Sequence, residues 1–215
     1  MLSALIFDLD GVITAASAEF HYLSWRRLAD EEGIAFTRAD GEHLRGINRA
    51  ESLTRFLNGH TVTATQRQDY LQRKQRYYLE LLQQMTAADR LPGVAALLDQ
   101  ARSAGVKLAV ASASRNVRAV LQKLQLDDYF DVIGDPSCVV NPKPAPDIFL
   151  WTAGYLRVSV REVVVLEDSA ESVRTAIDAG FRTVGVGVAS ADLMVYDLSD
   201  INLDRLAALC VPVER

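Results

Sequence analysis

Short apolar runs that alternate with helix-like stretches constrain this chain more than any other feature of its sequence. The apolar runs are Leu5 to Phe7, Lys107 to Ala111, Glu162 to Leu166 and Thr183 to Val186, with a shorter fifth run at Asp131 to Ile133. Runs of this kind, closed by turn residues, are typical of buried parallel strands. Apolar residues at helical spacing separate them, and Gly105 and Gly180 stand where helices should end. The alternation predicts an α/β fold with a Rossmann-like parallel sheet and helices on both faces.

The segment from Ala15 to about Met85 follows a different pattern. It contains no strand-like run, and its apolar residues recur at helical spacing, as in Phe20, Leu23 and Leu28. We therefore expect an all-helical cap domain at residues 15–87, inserted after the first strand. Residues 1–14 and 88–215 would form the α/β core domain, with hinges near 14–17 and 85–90.

Composition narrows the class of partner. The 215 residues carry a formal net charge of −5 and include two cysteines, Cys138 and Cys210, without metal or redox spacing. Nucleic-acid binding would favour a basic surface, which this balance does not suggest. No apolar stretch reaches the roughly 20 residues that a membrane span needs. The apolar N-terminal run is too short for a signal peptide, so we expect a cytoplasmic protein without a membrane or nucleic-acid partner.

Polar residues close several of the predicted strands. Because ligand sites in open parallel sheets form at the carboxyl ends of the strands, these residues should meet in one cleft. Carboxylates crowded there would repel each other unless a cation lay between them, and oxygen ligands without His or Cys favour Mg²⁺. One carboxylate could attack phosphorus while a lysine and a hydroxyl contact the phosphoryl oxygens. Taken singly, each residue also fits a turn, a helix cap or a solvated charge. The residues are Asp8, Asp10, Ser112, Ser114, Lys143, Glu167 and Asp168.

Four stretches of the sequence resemble the motifs of the haloacid dehalogenase superfamily. They are Phe7 to Val12, Ser112, Lys143-Pro144 and Glu167 to Ser169, and the resemblance covers essentially the whole chain. The helical insertion resembles the cap of that superfamily, and the second aspartate matches its phosphoryl-transfer branch. Within the superfamily the chain is most similar to the β-phosphoglucomutase family, for which the stretch from Leu44 to Leu53 is the specific signal.

This resemblance implies a magnesium-dependent isomerase that interconverts β-D-glucose 1-phosphate and glucose 6-phosphate. The reaction would pass through an aspartyl-phosphate and a glucose 1,6-bisphosphate intermediate, with the bisphosphate as primer. The resemblance makes Asp8 the nucleophile and Asp10 the general acid and base. One Mg²⁺ would be held by Asp8, the Asp10 carbonyl, Glu167 and Asp168. The implied phosphate- and substrate-binding residues are Thr14, His21, Trp25, Arg45, Gly46, Arg49, Ser52, Lys74, Ser112, Ala113, Ser114, Arg115, Asn116 and Lys143.

Among these, Lys143, Ser112 and Ala113 would contact the transferring phosphoryl group, whereas Arg49 and Asn116, together with Ser114, would hold the second phosphate. Trp25 could also be cap packing, and His21 a structural histidine. The partner would be a small sugar phosphate, and a monomer suits a moving cap. Two alternatives remain open: a sugar-phosphate phosphatase of the same superfamily, and a non-catalytic sugar-phosphate-binding module.

The chain departs from the family pattern at the cap hinge. Where the family usually has Asp-Thr after the threonine equivalent to Thr14, this sequence has Ala15-Ala16-Ser17, with one extra residue before Glu19. Arg45 also stands where some members carry lysine, and arginine and lysine are not equivalent donors.

Overall fold

A six-stranded parallel sheet forms the centre of the computed structural model, which describes residues 1–210. The strands β1 to β6, in chain order, span Ala4–Phe7, Lys107–Ala111, Val132–Gly134, Val163–Glu167, Arg182–Val186 and Leu193–Val195. Their order in the sheet is β3-β2-β1-β4-β5-β6, so the N-terminal strand lies between the second and the fourth. The predicted fold class is confirmed, and only the last strand was not expected from the sequence.

Helices cover both faces of the sheet, and alternate residues of β1 point to each. Leu5 and Phe7 pack with α5 (Val94–Ser103), α6 (Val117–Lys123) and α9 (Leu203–Leu209). Ala4 and Ile6 pack with α7 (Asp147–Leu156) and α8 (Ala170–Asp178). Burial on both sides explains why the strand is an uninterrupted apolar run. Across residues 1–210, no helix is both long and apolar enough to cross a membrane.

Four helices form the inserted segment: α1 (Ala16–Glu32), α2 (Arg38–Glu42), α3 (Arg49–Leu57) and α4 (Ala64–Leu82). They bury an apolar cluster of their own, in which the Trp25 ring stacks on Phe56 at 4.8 Å between centroids. Arg73 of α4 forms ion pairs with Glu31 and Glu32 of α1. The cap boundaries at 15 and 87 stay a prediction, and the predicted core range 88–215 ends in residues 211–215, which lie outside the described residues.

The two segments that join cap and core are hydrogen-bonded to each other. The Thr14 hydroxyl donates to the Asp89 carbonyl at 2.8 Å, and the Leu91 N–H donates to the Ile13 carbonyl at 2.9 Å. Helix α1 then begins after Ala15, whose side chain cannot accept a hydrogen bond. The hydroxyl oxygen of Thr14 accepts from the Ala16 N–H at 3.2 Å instead. Thr14 therefore supports the hinge at the point where the sequence departs from the family pattern.

Candidate active site

A buried ion cluster lies at the carboxyl end of β1. The Asp8 N–H continues the sheet by donating to the Leu166 carbonyl at 2.9 Å. Nζ of Lys143, which is 1% exposed, donates to Oδ1 of Asp8 at 2.7 Å and to Oε1 of Glu167 at 2.5 Å. Burial disfavours the charged lysine, but the two carboxylates outweigh burial and raise the pKa of Lys143 above its ordinary value. The ammonium group thus stays charged beside Asp8.

Three carboxylates at this edge can hold a divalent cation. Oxygens of Asp8, Glu167 and Asp168 lie within 4.8 Å of one another. Burial, together with the charges of Asp8 and Glu167, raises the pKa of Asp168 to about 8. Acids that resist ionising together are stabilised by a cation between them, and an all-oxygen donor set suits Mg²⁺. These residues therefore fit the predicted metal. The carboxylate of Asp10 is not part of this group. For Asp10, the family resemblance implies the backbone carbonyl as the metal ligand.

Gly11 allows the loop after β1 to pass close to Asp168. Its φ is +88°, and a Cβ atom there would lie 2.0 Å from Oδ2 of Asp168 and 2.9 Å from Nη2 of Arg45. Arg45 reaches across from the cap and donates to the same carboxylate oxygen at 2.5 Å. Only glycine combines this backbone conformation with so close an approach.

Asp10 carries a carboxylate oxygen that has no hydrogen-bond partner. Its Oδ1 is the one buried side-chain oxygen or nitrogen in the described part of the chain that lacks a hydrogen-bond partner. Burial and the charge of Asp8 raise the pKa of Asp10 to about 6. A carboxyl group with such a pKa can accept a proton from a hydroxyl group and return it near neutral pH.

A cavity of about 580 Å³ lies between core and cap. Lys143 and Glu167 do not line it, because they are buried behind Asp8. Thr14 is at the hinge, and Asn116 contacts the cap through Gln75. The other predicted site residues line the cavity: Asp8, Asp10, Ser112, Ala113, Ser114, Arg115 and Asp168 from the core, and His21, Trp25, Arg45, Gly46, Arg49, Ser52 and Lys74 from the cap.

A lysine–histidine pair forms part of the cap side. Nζ of Lys74 lies 2.5 Å from Nδ1 of His21, and the lysine is 3% exposed. Burial and the charge of Arg49 lower the pKa of Lys74 to about 7, against the opposing effect of Asp10. Trp25 packs in the cap cluster and also lines the cavity, and its contact with substrate stays a prediction.

Two arginines of the cavity lining, Arg49 and Arg115, have no acidic partner in the part of the chain that the structure describes. Within residues 1–210, neither Arg49 nor Arg115 forms a salt bridge, and burial together with the charge of Arg115 lowers the pKa of Arg49. Nη2 of Arg49 donates to Oε1 of Gln75 at 2.5 Å, and Nε2 of Gln75 donates to Oδ1 of Asn116 at 2.8 Å. This end of the cavity is thus suited to an anion.

Sequence reasoning missed one residue of α4 that belongs to this region. Gln75 was not considered, although it follows Lys74 directly and its amide contacts both Arg49 and Asn116. Tyr78, also on α4, packs in the core cluster, where its ring stacks on His21 at 4.2 Å and its hydroxyl lies 2.9 Å from that of Ser17. The loop between β3 and α7 also adds an unexpected wall, lined by Pro136, Val139, Val140 and Pro142.

Comparison with known proteins agrees with this geometry. Residues 2–180 match the family model described as haloacid dehalogenase-like hydrolase. The chain is also 39% identical to β-phosphoglucomutase of Bacillus subtilis strain 168, over 95% of this chain and 94% of that protein. The chain belongs to the haloacid dehalogenase-like hydrolase family. The resemblance predicted from the sequence motifs is therefore confirmed.

Other members of this family resemble the chain over most of its length. The crystal structure of β-phosphoglucomutase from Clostridium difficile superimposes with a TM-score of 0.92 at 34% identity, covering 98% of this chain and 97% of that one. A phosphorylated carbohydrates phosphatase of Thermotoga maritima is 30% identical over 85% of this chain and 84% of that protein. The chain is therefore an enzyme of the haloacid dehalogenase superfamily, and it is similar over most of its length both to proteins named β-phosphoglucomutase and to a phosphatase.

Proposed function

We propose that this protein catalyses the β-phosphoglucomutase reaction, the interconversion of β-D-glucose 1-phosphate and glucose 6-phosphate. The observation that carries the proposal is a pair of arginines, Arg49 and Arg115, which line the same cavity as Asp8 and form no salt bridge within residues 1–210. A mutase must hold two phosphates at once, one at the nucleophile and one elsewhere, whereas a phosphatase needs one phosphate site. The similarity to two proteins named β-phosphoglucomutase supports the same conclusion.

The first transfer uses an Asp8 that already carries a phosphoryl group. The 6-hydroxyl oxygen of glucose 1-phosphate attacks phosphorus, and the bond from phosphorus to the Asp8 oxygen breaks and restores the carboxylate. Asp10, whose side chain lines the cavity, accepts the hydroxyl proton with its carboxylate. Lys143 lies next to the Asp8 oxygens, where its charge stabilises the transferring group. The product of this step is glucose 1,6-bisphosphate.

The second transfer reverses the chemistry at the other end of the sugar. After the bisphosphate has turned round in the cavity, the Asp8 carboxylate attacks the phosphorus at carbon 1. The carbon 1 oxygen leaves and takes back the proton from Asp10, so glucose 6-phosphate is released and Asp8 is phosphorylated again. Because the cycle needs a phosphorylated enzyme to begin, glucose 1,6-bisphosphate serves as primer.

The remaining residues bind, orient and exclude water. One Mg²⁺, held by Asp8, Glu167, Asp168 and the Asp10 carbonyl, would supply positive charge that reduces repulsion between carboxylate and phosphate. Lys74 and His21 lie on the cap side of the cavity, where they would contact the sugar. A closed cap keeps water from the aspartyl-phosphate.

Product analysis separates this proposal from the phosphatase alternative. β-Glucose 1-phosphate, Mg²⁺ and a trace of bisphosphate are followed by phosphorus NMR, and we expect glucose 6-phosphate with little free phosphate. Stoichiometric release of phosphate would instead identify a phosphatase. Asp8→Ala should abolish both reactions, and turnover that survives it would contradict the assignment of the nucleophile. A panel of other hexose 1-phosphates defines the sugar.

The proposal also includes the setting of the enzyme. We expect a cytoplasmic monomer that binds a small sugar phosphate and has no nucleic-acid or membrane partner, with a core at 1–14 and 88–215 and a cap at 15–87. Size-exclusion chromatography with light scattering tests the monomer. Limited proteolysis tests the domain boundaries, which should be cleaved first at the hinges.

A further inference from the structure

The side chain of Gln75 links cap and core beside the cavity. The residue follows Lys74 on α4, and it is half-buried. Its Oε1 accepts from Arg49 of the cap at 2.5 Å, and its Nε2 donates to Asn116 of the core at 2.8 Å. The Nδ2 group of Asn116 also lies 3.4 Å from the same Oε1. One amide therefore contacts a cap residue and a core residue that the family resemblance assigns to the second phosphate.

The neutrality of this partner matters for the charge of Arg49. Elsewhere in the cap, Arg73 is neutralised by Glu31 and Glu32. In the described residues, by contrast, the amide oxygen of Gln75 is the sole hydrogen-bond acceptor of the Arg49 side chain. An amide oxygen fixes the orientation of a guanidinium group without cancelling its charge, so the full charge stays available for a phosphate. A carboxylate in the same place would compete with that phosphate.

We propose that Gln75 is a positioning residue for the second phosphate, which holds Arg49 and Asn116 at a fixed separation across the cleft. The inference rests on the proposed function, because it takes a doubly phosphorylated sugar as the ligand. Two neighbouring residues of α4 would then serve different parts of the site. Lys74 contacts His21 on the cap side of the cavity, and Gln75 contacts Arg49.

Kinetics of two variants test this role. Gln75→Ala removes the hydrogen bonds of the amide to Arg49 and to Asn116. We expect the apparent KM for glucose 1,6-bisphosphate as primer to rise about tenfold, equivalent to about 1.4 kcal/mol. Gln75→Glu preserves size but adds a charge beside Arg49, so its KM for the bisphosphate should rise further. Hydrolysis of p-nitrophenyl phosphate, which has a single phosphoryl group, should be affected less in both. Gln72→Ala and Gln72→Glu are matched controls, because Gln72 is an exposed glutamine of the same helix.

Several outcomes would overturn the inference. An unchanged KM for the bisphosphate would do so, as would equal losses on both substrates, which indicate general disruption, or the same effects in the Gln72 controls. If Gln75→Ala does not fold, Gln75→Glu and Gln75→Asn keep a polar group and carry the test. Wild-type enzyme that dephosphorylates the bisphosphate without forming glucose 6-phosphate from glucose 1-phosphate would contradict the proposed function alone. The KM comparison would then still decide the role of Gln75.

Discussion

Lys74 should make the stability of this protein rise with pH above neutrality. The lysine is 3% exposed, with Nζ at 2.5 Å from Nδ1 of His21 and 5.3 Å from the centroid of the Trp25 ring. Burial first, and the charge of Arg49 second, lower the pKa of Lys74 from 10.5 to about 7. In the unfolded chain the same lysine is solvated and regains its ordinary pKa.

The sign and size of the effect follow from these two pKa values. Below pH 7 Lys74 is charged in both the folded and the unfolded state, so the full cost of burying its charge destabilises the fold. The pKa difference of 10.5 − 7 corresponds to about 5 kcal/mol at 1.36 kcal/mol per pH unit. Between pH 7 and 10.5 the unfolded chain binds one proton more than the folded protein, and stability therefore increases with pH. From pH 8 to 9.5 the gain is about 2 kcal/mol.

This window avoids the other groups around Lys74. The pKa of His21 lies well below its ordinary value of 6.5 because of burial and the charge of Lys74, and the pKa of Asp10 is raised to about 6. Arg49 stays protonated throughout. Asp168, with its pKa raised to about 8, titrates with the opposite sign around that pH, but it is present in both wild type and Lys74→Met, so its contribution cancels in their difference.

The effect is measured by urea unfolding of wild type and Lys74→Met at pH 8 and at pH 9.5. Tryptophan fluorescence and circular dichroism report the unfolding. We expect the wild type to gain about 2 kcal/mol of stability relative to the variant between the two pH values. Lys107→Met, which removes an exposed lysine, is the control for the loss of one lysine. A stability difference that stays constant, or that falls with pH, would refute the reasoning.

Three further predictions concern Asp10, Gly11 and the metal-binding carboxylates. Asp10→Asn should lower phosphoryl transfer to sugar by about 10²- to 10⁴-fold while the protein still binds Mg²⁺, as measured by calorimetry; full activity would contradict its acid–base role. Gly11→Ala, which brings a Cβ atom to 2.0 Å from the Asp168 carboxylate, should destabilise the protein by about 1–3 kcal/mol and weaken Mg²⁺ binding; unchanged binding would count against that contact. Mg²⁺ at 100 times its Kd should stabilise the wild type by about 2.7 kcal/mol in thermal unfolding, and Asp168→Ala should lose most of this gain.

Most of the sheet could be predicted because its strands are buried on both faces. Each of the strands β1 to β5 falls on an apolar run visible in the sequence. The sixth strand gave no such signal, since it has three residues and Met194 at its centre is 39% exposed. A side-chain contact just before the strand helps to place it: the Asp192 side chain accepts hydrogen bonds from the N–H and hydroxyl groups of Thr183 on β5. Local periodicity does not encode a pairing of this kind.

The core side of the site follows from the sheet topology, whereas the cap residues that line the cavity were predicted only from the family resemblance. Parallel strands bring their carboxyl ends to one edge, so the positions of Asp8 and Asp168 follow from the topology. Which cap residues reach the cavity depends on the helix face that is turned inward, and hence on how the cap packs. Gln75 therefore escaped sequence reasoning although it is adjacent to Lys74. Thr14, predicted among the substrate-binding residues, has its hydroxyl bonded to the Asp89 carbonyl at the hinge, and its contact with substrate stays a prediction.

This difference between the two sides of the cavity bears on how mutase and phosphatase chemistry can share one fold. In the proposed mechanism, the carboxylates and Lys143 serve formation of an aspartyl-phosphate, a step that both reactions require. The same groups would serve whether a sugar hydroxyl or water is the acceptor. We therefore expect selection to come from groups that hold the far end of the substrate, which we propose are Arg49 on the cap and Arg115 on the core. A cap residue that sets the separation of two such groups, as we infer for Gln75, can change the reaction without altering the nucleophile.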